Sequence, residues 1–195
     1  MSLFEIESEH FGGEVKVIRP TTFPDNRGSL TLTRLQTDSF CFPVGFILRQ
    51  MYTRSERNVL RGLHYQLDPP MGKLMQVING SAYLVAVDIR PDSPTFLGYH
   101  AIIADDRNNF QVWASAGFAR GYYTFEPNTI VLYNCDAEVG ADKAVYWADP
   151  DIGIEWPLLD AEPPILSDRD ANARTVRESW PDFWRYNGTS CSSQS

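Results

Sequence analysis

The segment Asn58-Val59-Leu60-Arg61-Gly62-Leu63-His64-Tyr65-Gln66 carries the densest chemistry in the chain. Its apolar residues read as a strand, yet it holds a cation, a glycine and an imidazole. Burying Arg or His inside a β core is costly unless the group is paired, so such a strand points to a polar cavity. Strict alternation sets Arg61 and His64 on opposite faces. A bulge at Gly62 shifts the parity and aims both at one cavity. The competing reading is a core histidine bonded to a backbone carbonyl, and the segment alone does not separate the two.

An imidazole in a cavity serves as a metal ligand or as a base. There are three histidines, His10, His64 and His100, widely separated in sequence. Tyr65 and Gln66 follow His64, and no second histidine stands at ligand spacing beside it. A metal site is therefore disfavoured, and no cofactor is expected. His64 reads instead as a base, since its ordinary pKa lies near neutrality. It then needs an acid to orient it, and proton transfer needs a second carrier. Asp170, in Leu166-Ser167-Asp168-Arg169-Asp170, is a candidate for the first role, with Asp168 competing. Ser167 and Asp170 also sit at capping-box spacing, so Asp170 equally reads as a helix-cap residue. Tyr133, in Val131-Leu132-Tyr133-Asn134-Cys135, is the candidate acid or a plain core tyrosine. Lys73, after Pro69-Pro70-Met71-Gly72, is a candidate cation or a solvated strand end.

The elements that must position these residues are short strands. Candidates are Glu14–Ile18, Ser29–Arg34, Gly45–Thr53, Val59–Gln66, Lys73–Ile78, Ser81–Ile89, Tyr99–Ala104, Asn109–Ala114, Gly121–Phe125 and Thr129–Cys135. Gly, Pro, Asn and Asp clusters separate them at intervals suited to an all-β sandwich or barrel. Asn79-Gly80 predicts a type I′ hairpin joining Lys73–Ile78 to Ser81–Ile89. Ala82-Tyr83-Leu84-Val85-Ala86-Val87 is apolar on both parities, which predicts burial of both faces. Helices are expected at Ser167–Val176 and near Glu178–Tyr186. With 195 residues, the chain reads as one domain over 1–186, followed by a small, polar, disordered tail over 187–195.

Acidic side chains outnumber basic ones 25 to 17, a net charge of −8. That balance argues against nucleic-acid binding, which needs a surplus of clustered cations. It leaves room for a phosphorylated small molecule in a local basic pocket. No apolar run approaches the ~18–20 residues of a membrane span. The three cysteines, Cys41, Cys135 and Cys191, include no CxxC pair. With no signal-like N-terminus, a soluble, cytoplasmic protein with reduced thiols is expected.

Taken in order, these motifs resemble the dTDP-4-dehydrorhamnose 3,5-epimerase family. Leu60-Arg61-Gly62-Leu63-His64-Tyr65-Gln66 is similar to the family's central motif, and Asp25-Asn26-Arg27-Gly28 to its early Asp-x-Arg-Gly turn. Lys73 falls at the lysine after the Pro-Pro segment, and Val85-Ala86-Val87-Asp88-Ile89-Arg90 resembles the strand ending in Asp-x-Arg. Gly117-Phe118-Ala119, Leu132-Tyr133, the segment from Asp149 to Pro157 and Leu166-Ser167-Asp168-Arg169-Asp170 continue the likeness. The resemblance implies a cupin-like β-sandwich or jelly-roll barrel with short C-terminal helices. It also implies a homodimer acting without metal on a nucleotide-diphosphate sugar, a 4-keto-6-deoxyhexose. His64 is then the base, Asp170 its orienting partner and Tyr133 the acid. Arg61 and Lys73 contact phosphate or the developing oxyanion, and Arg27, Gln50, Gln66 and Arg120 complete the substrate contacts. An N-terminal strand such as Glu14–Ile18 is expected to pair across subunits.

The chain departs from the family at Arg120, where a histidine is common. It departs again at Arg49-Gln50-Met51-Tyr52-Thr53, where Gln-x-Asn-His-Ser is common, and at Asp136-Ala137-Glu138. A guanidinium cannot act as a base, though it can clamp an anion. A CDP- or GDP-linked ligand, inversion at C3 or C5 alone, keto-isomerisation and binding without turnover therefore stay open.

Overall fold

A computed structural model describes residues 3–33, 49–159 and 163–183. Its strands are β1 (Phe4–His10), β2 (Val15–Pro20), β3 (Thr22–Asp25), β4 (Gly28–Thr31), β5 (Arg49–Ser55), β6 (Leu60–Gln66), β7 (Lys73–Asn79), β8 (Ser81–Asp88), β9 (Tyr99–Asp105), β10 (Gln111–Ala114), β11 (Phe118–Thr124), β12 (Thr129–Cys135) and β13 (Asp142–Ala144). Two helices follow, α1 (Asp168–Ala171) and α2 (Val176–Phe183). Six strands form one sheet in the order β1-β2-β10-β7-β12-β5, and five form another in the order β13-β6-β11-β8-β9. β3 and β4 make a separate hairpin. No helix among the described residues is long and apolar enough to cross a membrane.

The sheets face each other across a core of Val15, Met75, Val77, Val112 and Val131 from one side and Leu84, Ala86, Phe118 and Tyr122 from the other. Alternation explains the membership, since each strand sends every second side chain inward. β8 buries its other parity as well. Val85 and Val87 pack with Val145, Ile152, Val176 and Trp156, where the C-terminal segment covers the outer face of the five-stranded sheet. The all-β expectation and the two-sided burial of this strand are both met.

Three expectations are corrected. Asn79-Gly80 is not a hairpin turn, because β7 and β8 lie in different sheets. Gly80 has φ +79°, but Asn79 is not in the left-handed region that a type I′ turn requires of both. The turn instead carries the chain from one sheet to the other, tied by the Gly80 amide donating to Asp106 Oδ2 at 2.9 Å. A turn signal marks where the chain reverses, not which strand pairs with the second arm. β8 pairs instead with β11 and β9 in the five-stranded sheet.

Second, β2 is not available to a partner subunit, since it pairs with β1 on one side and β10 on the other. The edge belongs to β1, whose alternation Phe4-Glu5-Ile6-Glu7 was legible as a strand. Third, the expected helix Ser167–Val176 shrinks to the single turn of α1. The chain straightens after Asn172, and α2 begins afresh at Val176, whose amide donates to Asp149 Oδ2 at 2.6 Å. The expected tail 187–195, residues 184–186 of the second helix, Arg34 and residues 45–48 lie outside the described residues.

Candidate active site

β6 is bulged at its glycine. Tyr122 stands opposite Arg61 and Arg120 opposite His64, so two steps along β11 match three along β6. Gly62 has φ +127°, a region costly for other residues. A Cβ there would meet the Gly121 Cα at 2.6 Å, and one on Gly121 would meet the Arg61 carbonyl at 2.8 Å. Only two glycines allow this crossing. The extra residue puts Arg61 and His64 on the same side as Tyr122, facing the space between the sheets.

α1 delivers the acid from beyond the sandwich. Ser167 caps the helix, its Oγ accepting from the Asp170 amide at 3.1 Å. The Asp170 side chain, 3 % exposed, reaches His64, with Oδ1 and Nε2 2.7 Å apart. Its Oδ2 accepts from the Gly62 amide at 3.3 Å. The two readings of Asp170 therefore merge: its backbone is capped while its carboxylate serves the imidazole. Asp168 is exposed, and the carboxylate bonded to His64 is that of Asp170. Burial pushes the Asp170 carboxyl up, but the hydrogen bond and charge of His64, then the Gly62 amide and Ser167, hold it below the usual carboxylate range. An ionised carboxylate on Nε2 fixes the ring and leaves Nδ1 as the nitrogen able to take a proton.

Tyr133 comes from the other sheet. It lies on the inward parity of β12 with Val131 and Cys135, packing against the inter-sheet core and Met71. Burial, then neighbouring Tyr122, push its phenol well above the ordinary value, against Thr53 and Arg61. It keeps its proton at neutral pH, as a general acid must. Cys135, a buried free thiol, stands opposite Lys73. Burial, and then the Arg120 charge, lower the Lys73 pKa, against Asp142 and Cys135.

The remaining expected contacts divide. Arg61 faces inward, its Nε donating to Ser55 Oγ at 3.1 Å. Arg120 is 3 % exposed, and its Nη2 donates to the carbonyls of Met71, Ala114 and Ser115 at 2.6, 3.0 and 2.6 Å. Its Nη2 is anchored to backbone. Gln66 is likewise engaged by backbone, with its Nε2 on the carbonyls of Pro69 and Glu138 and its Oε1 on the Gly140 amide. Gln50 lies on the outward parity of β5 and donates to Asn134 at 2.9 Å. Arg27 sits on the β3–β4 turn, paired with Asp25. The structure brings none of these last three toward His64 within the chain.

Sequence reasoning passed over Arg49, Thr53, Ser55 and Tyr122. Arg49 and Thr53 stand opposite Cys135 and Val131, on the inward parity of β5. The strand expected at Gly45–Thr53 already held that signal, since alternation through Thr53 selects Arg49 rather than Gln50. Among the described residues no three His, Cys, Asp or Glu side chains converge on a metal position.

The sequence profile of dTDP-4-dehydrorhamnose 3,5-epimerase matches residues 13–178. Curated relatives include the dTDP-4-dehydrorhamnose 3,5-epimerases of Methanothermobacter thermautotrophicus, 35 % identical, and Mycobacterium tuberculosis, 38 % identical. The first alignment covers 84 % of this chain and 90 % of the relative, the second 83 % and 82 %. Among solved structures, the dTDP-6-deoxy-D-glucose-3,5-epimerase of Legionella pneumophila, in complex with dTDP-4-keto-L-rhamnose, superposes with TM-score 0.84 at 31 % identity, covering 89 % of this chain and 93 % of its own. A 3′-monoepimerase of Streptomyces bikiniensis, in complex with dTDP-quinovose, superposes with TM-score 0.80 at 28 % identity, covering 88 % and 92 %. The cupin-like sandwich expected from the motifs is thus the fold, and the chain belongs to the dTDP-4-dehydrorhamnose 3,5-epimerase family.

Proposed function

We propose that this protein is a nucleotide-sugar epimerase acting on a dTDP-linked 4-keto-6-deoxyhexose. The observation that carries the reading is the His64–Asp170 pair, 2.7 Å apart, on the inward face of one sheet, with the protonated Tyr133 on the inward face of the other. The ketone at C4 acidifies the hydrogens on C3 and C5, because the carbanion delocalises onto O4 as an enolate. His64 removes the proton, and the imidazolium that forms is matched by the Asp170 carboxylate. Arg61 and Lys73 supply the positive charge that meets O4 or the diphosphate, as groups set in place before charge develops. Tyr133 returns a proton from the opposite face, which makes the step an inversion.

Arg120, its Nη2 held by backbone carbonyls, adds positive potential beside Lys73 rather than a direct clamp. The likeness to both a 3,5-epimerase and a 3′-monoepimerase keeps a second reading, inversion at one carbon only. The family also supports a homodimer in the cytoplasm. Tyr52, 64 % exposed, and Ile78, 43 % exposed, lie on the outward parity of the six-stranded sheet, where a second subunit would cover them. The deciding experiment follows deuterium entering C3 and C5 of dTDP-4-dehydro-6-deoxyglucose by NMR, with product stereochemistry read alongside. Exchange at either carbon, lost in His64→Ala, supports the function. No exchange with this or any CDP-, GDP- or UDP-linked 4-keto sugar overturns it.

A further inference from the structure

A second tyrosine stands behind the first. The Tyr122 ring on β11 lies 6.5 Å from the Tyr133 ring, centroid to centroid, at 45°. Tyr122 is 1 % exposed, so its hydroxyl must find partners inside the protein. It has two: Thr53 Oγ1 at 2.7 Å and Ser55 Oγ at 3.0 Å, both on β5. Ser55 is held in turn by Arg61, whose Nε donates to its oxygen at 3.1 Å. With a donor on its oxygen, Ser55 is left to direct its own hydrogen toward Tyr122. A cation therefore backs a chain of hydroxyls that ends at the phenol next to Tyr133.

The proposed reaction leaves a problem that this chain addresses. After one inversion His64 holds the abstracted proton and Tyr133 has become a phenolate in a buried place. Tyr133 cannot act again until its proton is restored. Resting on the epimerase reading, we propose that Tyr122 is a positioning residue for proton return, holding the reserve proton that recharges Tyr133. The Tyr122 O–H bond breaks and the Tyr133 O–H bond forms, so the negative charge moves from one phenolate oxygen to the other. On Tyr122 that charge meets the hydroxyls of Ser55 and Thr53, with the Arg61 guanidinium behind them. Charge-assisted hydrogen bonds are the stronger kind, so these hydroxyls hold the charge on Tyr122 until it is reprotonated. Tyr122 then regains a proton from water by way of the half-buried Thr53 hydroxyl, and the proton on His64 leaves to water, so each turnover takes up one proton and releases one. The direction agrees with the surroundings of Tyr133, whose phenol is pushed up by burial and by Tyr122 itself.

The test is Tyr122→Phe, which removes one oxygen and keeps the ring, compared with wild type by rapid quench and by exchange in deuterated water. Tyr133 still starts protonated, so the first inversion should keep its rate. Later turnovers should slow about tenfold or more, in line with loss of a proton carrier. A burst of one product per site should therefore appear where wild type shows none, with deuterium exchange by His64 retained. Ser55→Ala should shift the same balance in the same direction by a smaller factor. Equal rates in every turnover for both variants would overturn the proposal. So would a proportional fall in exchange and inversion, which marks a packing defect. If wild type itself fails to exchange, the epimerase reading fails first, and this inference with it.

Discussion

Gly62 and Gly121 cross so closely that a Cβ on Gly62 would lie 2.6 Å from the Gly121 Cα. The site depends on that crossing, because it sets the bulge that turns Arg61 and His64 to one side. Gly62→Ala has nowhere to put its methyl and strains a φ of +127°. Overpacking and backbone strain together should cost about 3 kcal/mol or more. Urea denaturation should report that loss, and any folded remainder should lack exchange activity. A midpoint within error of wild type would show that the strand can straighten.

Asp170→Asn tests the orienting carboxylate. An amide still fits between Ser167, Gly62 and His64, but it offers no negative charge to the imidazolium. Exchange at C3 and C5 should fall about 100-fold, the scale of losing effective general-base catalysis. Thermal stability should change far less than activity does. A variant with wild-type exchange would remove Asp170 from the mechanism.

Tyr133→Phe should separate the two halves of the reaction. His64 still takes and returns the proton on its own face, so deuterium should enter the sugar. The stereochemistry of the recovered sugar should remain that of the substrate, because nothing donates from the opposite face. NMR of the product sees both at once. Inverted product at the wild-type rate would assign the acid elsewhere.

His10 and His100 form a separate, pH-sensitive contact. Their rings stack 3.5 Å apart at 19°, and Ser8 Oγ lies 3.0 Å from His10 Nε2. Burial, and then the charge of His10, depress the His100 pKa from 6.5 to about 4. The unfolded chain therefore binds the His100 proton first, at the higher pKa. The stability tied to neutral His100 is fully present above about pH 6.5 and is lost as the pH falls toward 4. His100→Phe keeps a ring in the stack without the titration. Its melting temperature should vary less between pH 7 and pH 5 than that of wild type. Parallel curves would place the acid sensitivity in other groups.

Much of this protein was legible in its residues. Alternating apolar positions and turn-forming clusters define an all-β chain, and ten strands could be placed because period-2 burial is a local property. Arg61-Gly62-Leu63-His64 announced a cavity, since a cation and an imidazole in a core strand need a reason, and Gly62 announced the bulge. What the residues could not decide was partnership. Asn79-Gly80 marks a reversal in either case, but only the pairing of β8 with β11 and β9 places it in the opposite sheet from β7. Asp170 lies 106 positions from His64, and nothing local distinguishes a carboxylate that caps a turn from one that orients a base. Arg120 and Gln66 had the right chemistry for substrate, yet backbone carbonyls meet Arg120 Nη2 and Gln66 Nε2 because those groups are buried beside loops that need donors. Tyr122 had no signal at all. Its role comes from a hydroxyl chain built by two strands of different sheets, and only packing brings those strands together.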